Sequence, residues 1–410
     1  MLNINSLLKS YDMKLRFSNI TLLYIITFLA ALYFYLPIIT LYYLERGLNF
    51  LEINSLEAII IGTSALAEIP TGIIADKFGR KLSIIIALFL QLIGEVIYIF
   101  ADNYMLFALV AVIAGISWAF LSGCFDAMMY DSLKKEGREK EMQKVSGLNG
   151  SFKLSAGIIG SFVGGLIARD LKLNSFIFLI IITSISVGLA FLVSFFLKEP
   201  SSEYKHTEQS PAKIFRDGIN LLKTDKSLQR IVLLSIFATP FAGYLLTFYQ
   251  PYFVQANVSG IWFGIALSIA SLLGVLASRY AYLIERIMGV AKGTLLATLM
   301  PGIFYILMAI VFHPWVSIIV FVIARGSMNL QKPLFADYTN RHIESNNRAT
   351  VLSMIGMFSG IYVALMGLII GIVADYALHY AFIFMGSIVI IGALLLRIKE
   401  RHVNLHHEAV

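Results

Sequence analysis

The chain has one cysteine, Cys124, in 410 residues. An intrachain disulfide is therefore excluded, and so is a multi-cysteine metal site. Charge is scarce: 14% of residues are Asp, Glu, Lys or Arg, against roughly 25% in a soluble domain. Histidine is sparse too. Four of the seven (His206, His402, His406, His407) fall in a polar linker or the carboxyl tail, and the His406-His407 pair is too little for a metal site. No HExxH, P-loop, CxxC or GxSxG pattern occurs, and 356-GMFSG-360 carries its serine in the wrong slot. These absences argue against an enzyme, and no cofactor or metal is expected.

What is present is apolar. Hydrophobic residues make up 58% of the chain and aromatics 13%, with a mean hydropathy of +0.80. That composition belongs to the membrane class. The net charge of +7 does not point to nucleic acid, because the basic residues are scattered between apolar runs. The first run is too long for a cleaved secretory signal and lacks a small-residue cleavage site. A helix needs about 20 apolar residues to cross the hydrocarbon core. Twelve segments qualify: 19–43, 52–75, 82–100, 104–130, 147–168, 174–197, 228–254, 259–284, 290–311, 314–337, 349–373 and 379–397. The runs are continuous rather than alternating, which favours helices over a barrel. The expected fold is an all-α membrane protein.

Lysine and arginine set the orientation. With the amino terminus in the cytoplasm, 26 of the 32 basic residues fall in inner segments. Only Arg46, Arg169 and Lys172 fall outside, while Lys153, Arg325 and Lys332 lie within membrane segments. Both termini are thus expected on the cytoplasmic side of a bacterial inner membrane. The one long polar stretch, around 198–227, divides the segments six and six. The expected organisation is a bundle over 1–197, a linker over 198–227 and a second bundle over 228–410. A short surface helix is expected from about Pro211 to Leu222, on the spacing of its apolar residues.

The halves repeat. A shift of 206 aligns 130-YDSLKKEGREKEMQKVSG-147 with 336-ADYTNRHIESNNRATVLS-353 and places Asp131 on Asp337. A shift of 202 places Gly62 on Gly264, Gly72 on Gly274 and Ala75 on Ala277. Parallel six-helix repeats are a transporter signature, with the substrate site between them near mid-membrane.

The stretch 68-EIPTGIIADKFGRK-81 is a charged knot in an oily chain. Asp76 ends one segment, and Arg80 and Lys81 begin the next. Both placements oppose the helix dipole, at about 0.3–1 kcal/mol each. The positive-inside rule accounts for Lys77 and Lys81 but not for Asp76. Asp131 ends segment 4 with the same unfavourable sign. We expect a relay Asp76–Arg80–Asp131, with Gly79 in the turn and Gly72 allowing close helix approach.

Gly72, Asp76, Lys77, Gly79, Arg80 and Lys81 resemble the loop 2–3 signature of the major facilitator superfamily, and Asp131 with Arg138 resembles its loop 4–5. The preface 68-EIPTG-72, with 122-SGCFDAMMYDSL-133 and 348-RATVLS-353, resembles a bacterial branch of drug and metabolite efflux proteins. The resemblance covers essentially the whole chain. It implies two pseudo-symmetric six-helix bundles working as a rocker-switch carrier, mostly monomeric. It also implies that the loop 2–3 motif braces the outward-facing state against helix 11. In the second half Ser278 stands for the acid and Tyr282 for the arginine, so the brace is expected on one side only.

Ionisable residues inside spans are expensive and usually face a cavity or a partner. Glu68, Asp126, Lys153 and Lys332 share one layer in the cytoplasmic half. Asp126 and Lys332 differ by the repeat shift, which makes them candidates for a gate between the halves. The bland alternative pairs Asp126 with Lys153 inside one half. Glu68 and Asp126 are the proton-carrier candidates. Glu95 reads as structural, or as paired with a polar neighbour such as Tyr98. Arg325, near mid-membrane, and Asn329 are candidate substrate-cavity residues, and Arg325 would suit an anionic substrate group or a fixed partner. Among the aromatic residues of segments 1 and 7, which carry Pro37 and Pro251, Tyr35 is the expected cavity residue. Expected partners are membrane lipids, a small-molecule substrate and protons. Proton-coupled efflux and proton-coupled uptake both remain open.

Overall fold

The computed structural model describes residues 18–200, 225–238, 241–343 and 348–403. The surface helix expected over Pro211 to Leu222 lies outside the described residues. All regular structure among the described residues is helical, and it makes twelve crossings. The first half holds α1 (Asn19–Ala30, then Ile39–Glu45), α2 (Phe50–Phe78), α3 (Arg80–Phe100), α4 (Tyr104–Leu121, then Cys124–Lys135), α5 (Met142–Ile167) and α6 (Leu173–Ser194). The second holds α7 (Lys226–Ala238, then Phe241–Gln255), α8 (261–288), α9 (290–310), α10 (Pro314–Ser327, then Gln331–His342), α11 (Arg348–Tyr376) and α12 (Leu378–Leu395).

Local chemistry sets these ends. Asn49 opens α2 with a capping box: its side chain accepts from Glu52 N–H while Glu52 accepts from Asn49 N–H. Asn103 caps α4 in the simpler way. The helix spanning Ile261–Ile310 has 50 residues. Straight, it would reach about 75 Å at 1.5 Å per residue, more than twice the hydrocarbon core. Gly289, at φ 76° and ψ 166°, folds it into α8 and α9. Gly79, at φ 94° and ψ 161°, makes the same turn between α2 and α3. A positive φ of this kind is open to glycine and costly for residues with a Cβ.

These twin turns correct the repeat. They lie 210 residues apart, so α2 matches α8 at a shift of 210 rather than 202. The difference of eight residues is close to two helical turns. At about 100° per residue that slip turns the helix by only about 80° beyond two full turns, so small residues stay within one broad helix side, which is why the wrong register looked consistent in the sequence. The counterparts of Asp76 and Arg80 are therefore Arg286 and Val290, not Ser278 and Tyr282.

Several crossings are interrupted. α1 unwinds over 31–38, α4 breaks at Ser122 and Gly123 (φ 71°), and α10 tightens into a 3₁₀ turn at Met328–Leu330. Each half has its own apolar cores, the larger in the second half around Phe248, Tyr249, Phe253, Phe263 and Phe321. Apolar residues such as Phe100, Phe196 and Tyr376 stand exposed, as expected of a surface that meets lipid.

The loops 2–3, 4–5 and 8–9 share one end of the bundle, called here the basic side. The halves meet at the other end. A Cβ on Gly165 of α5 would lie 2.7 Å from Gly264 Cα of α8, and one on Gly371 of α11 would lie 2.7 Å from Leu51 Cα of α2. Toward the basic side the helices part. A Cβ on Gly72 would meet open space, and Leu66, Ile69 and Ile73 of α2 are exposed by 82%, 75% and 62%.

Candidate functional site

The first half holds a cavity of about 560 Å³, lined by α1, α3, α4 and α5. It runs from the break in α1 toward the basic side. Ile26, Ala30, Leu88, Trp118, Leu121 and Phe125 form its apolar wall, and Tyr33, Gln91, Asn149 and Lys153 supply polar groups. An apolar pocket with a few polar groups is the usual form of a small-molecule site.

The break in α1 is built into the site. Unwound backbone inside a membrane must be satisfied by protein or by cavity water. Here Thr183 Oγ1 of α6 accepts from Phe34 N–H at 3.1 Å. The second half completes the rest. Gln250 Oε1 of α7 accepts from Thr40 N–H at 2.8 Å and Leu41 N–H at 3.3 Å, and Gln250 Nε2 donates to Leu36 O at 3.2 Å. Tyr249 Oη donates to Pro37 O at 3.1 Å. One buried glutamine thus reads both edges of the break from across the protein.

The same idiom closes the rest of this end. Asp375 of α11 accepts from Phe50 N–H and Leu51 N–H at 2.6 and 3.0 Å, capping the start of α2. Asn54 donates to Gly367 O and Ser268 donates to Ile158 O, both at 3.1 Å. Among the described residues no ion pair crosses between the halves. The closed end is a joint of side chains on backbone.

The loop 2–3 residues are placed as follows. Arg80 pairs with Asp131, and both are mostly buried, with 18% and 11% side-chain exposure. Asp76 is exposed and makes no ion pair among the described residues. The sequence missed the group that answers the helix dipole. Glu199, just past α6, accepts from Arg80 N–H at 2.9 Å and Lys81 N–H at 2.8 Å. An anion on the first free amides of α3 offsets the two bases there. Glu400, just past α12, accepts from Ala291 N–H at 3.3 Å at the start of α9. The cap therefore exists in both halves, while the interhelical ion pair exists in one, because Val290 stands where Arg80 would be. A carboxylate a few residues after each six-helix half was the available signal. Arg138 stays in its own loop, on Glu136 and Glu141 at 2.8 and 3.0 Å.

In the intramembrane layer, Glu68, Asp126, Lys153 and Lys332 are all exposed on the parted side. Ser122 Oγ reaches Glu68 at a long 3.5 Å. Asp126 meets neither Lys332 nor Lys153 within 4.0 Å among the described residues. Tyr35 does not line the cavity; Tyr33 does, donated to by Gln91 Nε2 at 2.8 Å. Tyr35 instead donates to Glu95 Oε1 at 2.8 Å, because the unwound chain turns it toward α3. Glu95 thus takes Tyr35 rather than Tyr98 as its partner. Arg325 donates to Ala242 O at 3.4 Å, and Asn329 lies against Gly274 with its Nδ2 donating to Arg325 O at 3.5 Å.

Known proteins match this chain along most of its length. The profile of the Major Facilitator Superfamily matches residues 22–365. The chain belongs to the major facilitator superfamily. An uncharacterized MFS-type transporter of Bacillus subtilis, YxaM, is 25% identical over 375 residues, covering 89% of this chain and 91% of that protein. An uncharacterized transporter of Buchnera aphidicola is 30% identical over 220 residues, 52% of this chain and 54% of its own. A variant of the nucleoside transporter NupG superposes with a TM-score of 0.77 at 14% identity, over 92% of this chain and 98% of that one. A bacterial homologue of the lysosomal transporter Spinster, inward-facing and unoccupied, gives 0.75 at 15% identity, over 96% and 98%. These structural likenesses establish the fold. As a superfamily member the protein is a multi-pass secondary transporter that works by alternating access, and not an enzyme.

Proposed function

We propose that this superfamily member is a proton-coupled efflux carrier for drugs or amphipathic metabolites. The observation that carries the reading is the cavity wall: Trp118, Phe125, Leu88 and Leu121 against Gln91, Asn149 and Lys153. Such a lining grips an apolar body and orients a polar end. With the basic side taken as cytoplasmic on the lysine and arginine bias, the described conformation is inward-facing. The cavity then loads from the cytoplasm, and the joint at α1, α2, α7 and α11 is the closed outer gate. In the outward-facing state Asp126 and Lys332 approach each other and close the inner gate, while Asp76 and Gly72 take up α11. Glu68 and Asp126, both exposed on the parted side, exchange protons with the cytoplasm. Removing the charge of both would uncouple transport from a pH gradient.

A second reading is uptake of a small anionic nutrient. It is favoured by Arg325, whose guanidinium has a carbonyl and no carboxylate among its partners in the described residues. Susceptibility of an overexpressing strain decides between the two. Raised resistance to several amphipathic drugs, lost in Trp118→Ala, supports efflux. An unchanged profile across a broad panel, with pH-driven accumulation of an organic anion that Arg325→Gln abolishes, supports uptake.

A further inference from the structure

Glu95 is the buried carboxyl that the carrier scheme leaves unused. It lies in the middle of α3, 7% exposed. Oε1 accepts from Tyr35 Oη at 2.8 Å, and Oε2 is buried with no hydrogen-bond partner among the described residues. No lysine, arginine or histidine pairs with it there. The surroundings supply only phenols and apolar groups. α1 brings Tyr33, Tyr35 and Tyr43, α3 itself brings Tyr98, and α2 brings Glu57 beyond Tyr43. α6 has no ionisable residue, and the membrane part of α4 has only Tyr104. A carboxylate in such a place lacks the cation and donors that its charge needs.

The donor to Glu95 sits on the unwound stretch of α1. Tyr35 lies two residues from Pro37, whose carbonyl Tyr249 holds, and one from Leu36, whose carbonyl Gln250 holds. Those are the contacts that close the far end of the protein. A route to the cavity is also present. Gln91 lies one turn from Glu95 on α3, lines the cavity and donates to Tyr33, whose ring meets that of Tyr35 at 5.7 Å.

We propose that Glu95 is a proton-binding site that ties protonation to the α1 break, and through it to the outer gate. The proposal rests on the proton-coupled reading above. With the proton bound, the acid fits its apolar site and Tyr35 stays docked on it, so α1 keeps the shape that Gln250 and Tyr249 grip. Loss of the proton leaves a carboxylate that draws Tyr35, and with it the broken segment, toward water or new donors. The grip on Leu36 and Pro37 then slackens and the outer end is free to open. The step is proton transfer between Glu95 and cavity water by way of the Gln91 and Tyr33 edge. No other group changes its bonding.

The test needs no substrate. Cys124→Ser, Lys134→Cys and Ala336→Cys would place spin labels at the basic-side ends of α4 and α10 in the full chain, reconstituted in lipid. Electron–electron distance distributions would be read from pH 5 to pH 9. The expected result is a pH-dependent shift between a wide and a narrow distribution, abolished by Glu95→Gln. Tyr35→Phe should move its midpoint. Infrared pH-difference spectra on the same samples should lose one protonated-carboxyl band in Glu95→Gln, a signature that a purely structural role would leave unmoved. If the shift persists in Glu95→Gln and vanishes in Glu68→Gln or Asp126→Asn, the Glu95 proposal is overturned while proton coupling stands. If the unsubstituted chain shows no shift, both fall. Should Glu95→Gln fail to assemble, an unaltered midpoint and an unaltered infrared band in Tyr35→Phe would overturn the link by themselves.

Discussion

The two halves repeat one plan with different chemistry on the basic side. At the foot of the first half Asn19 staples three elements: its Nδ2 donates to Ser132 Oγ at 2.9 Å and Lys198 O at 2.7 Å, and its Oδ1 accepts from Lys198 N–H at 2.9 Å. At the matching foot of the second half the staple is ionisable. Asp225 accepts from Ser227 and Leu228 N–H and pairs with His342 Nδ1 at 2.7 Å, and His342 Nε2 reaches His402 O at 2.8 Å. The loop above shows the reverse. There the first half has the buried Arg80–Asp131 pair, and the second has Asp337 on Arg341 of its own helix, exposed. One plan can thus be fastened by amides or by charges, and each joint titrates or resists accordingly.

The joint the halves share should be the most sensitive. Gly264→Val and Gly165→Val should each prevent the end opposite the basic side from closing, because each Cβ would fall on the other's backbone. The expected outcome is loss of transport with the spin-label distance between α4 and α10 pushed to the narrow state. Equal effects from the two sides would confirm a symmetric contact. Next comes the contrast in ion pairs. Arg80→Ala removes the Arg80–Asp131 pair, which is mostly buried, and should cost roughly 3 kcal/mol, as removing one partner of a buried pair does. Arg341→Ala should cost under about 1 kcal/mol, as for exposed pairs. Thermal unfolding in detergent should rank them in that order, and a larger loss for Arg341→Ala would break the comparison. The caps should differ less. Glu199→Ala removes two short bonds to amides and should cost about 1 kcal/mol. Glu400→Ala removes one at 3.3 Å and should cost less in the same assay.

The smallest effect is the pH response of the staples. Burial pushes the Asp225 carboxyl up, but the Leu228 N–H, His342 and the Ser227 N–H outweigh it and hold the carboxyl below its usual range. A lowered folded value means stabilisation that is complete above the unfolded pKa of about 3.9 and lost as the pH falls through the folded value. The unfolding midpoint should therefore drop more steeply below about pH 4 in the unsubstituted chain than in Asp225→Asn. Asn19→Ala should leave that steepness unchanged, since the first staple has nothing to titrate.

Much of the architecture was legible early. The apolar runs, the basic bias and the charged knot at Glu68–Lys81 are local properties, so twelve crossings and the superfamily followed from them. Arg80 and Asp131 were legible because their signs violate the helix dipole. Their compensation by Glu199 was not, since it lies 119 residues from Arg80 and only folding brings it there. The α2 and α8 register misled because a slip of eight residues turns a helix only about 80° beyond two full turns, keeping small residues within one broad side. The cavity residue shifted from Tyr35 to Tyr33 because α1 unwinds. A single proline marks the bend without saying which way each side chain turns.

The amino-acid sequence alone determined that the chain lives in a membrane and that it has two six-helix halves. Those follow from transfer free energy and from spacing along one chain. The tertiary structure alone decided which end is closed, that side chains on backbone rather than ion pairs between the halves close it, and that Glu95, unlike Glu68 and Asp126, is buried. Those depend on which groups from distant segments meet, and no segment carries its partner's position within itself.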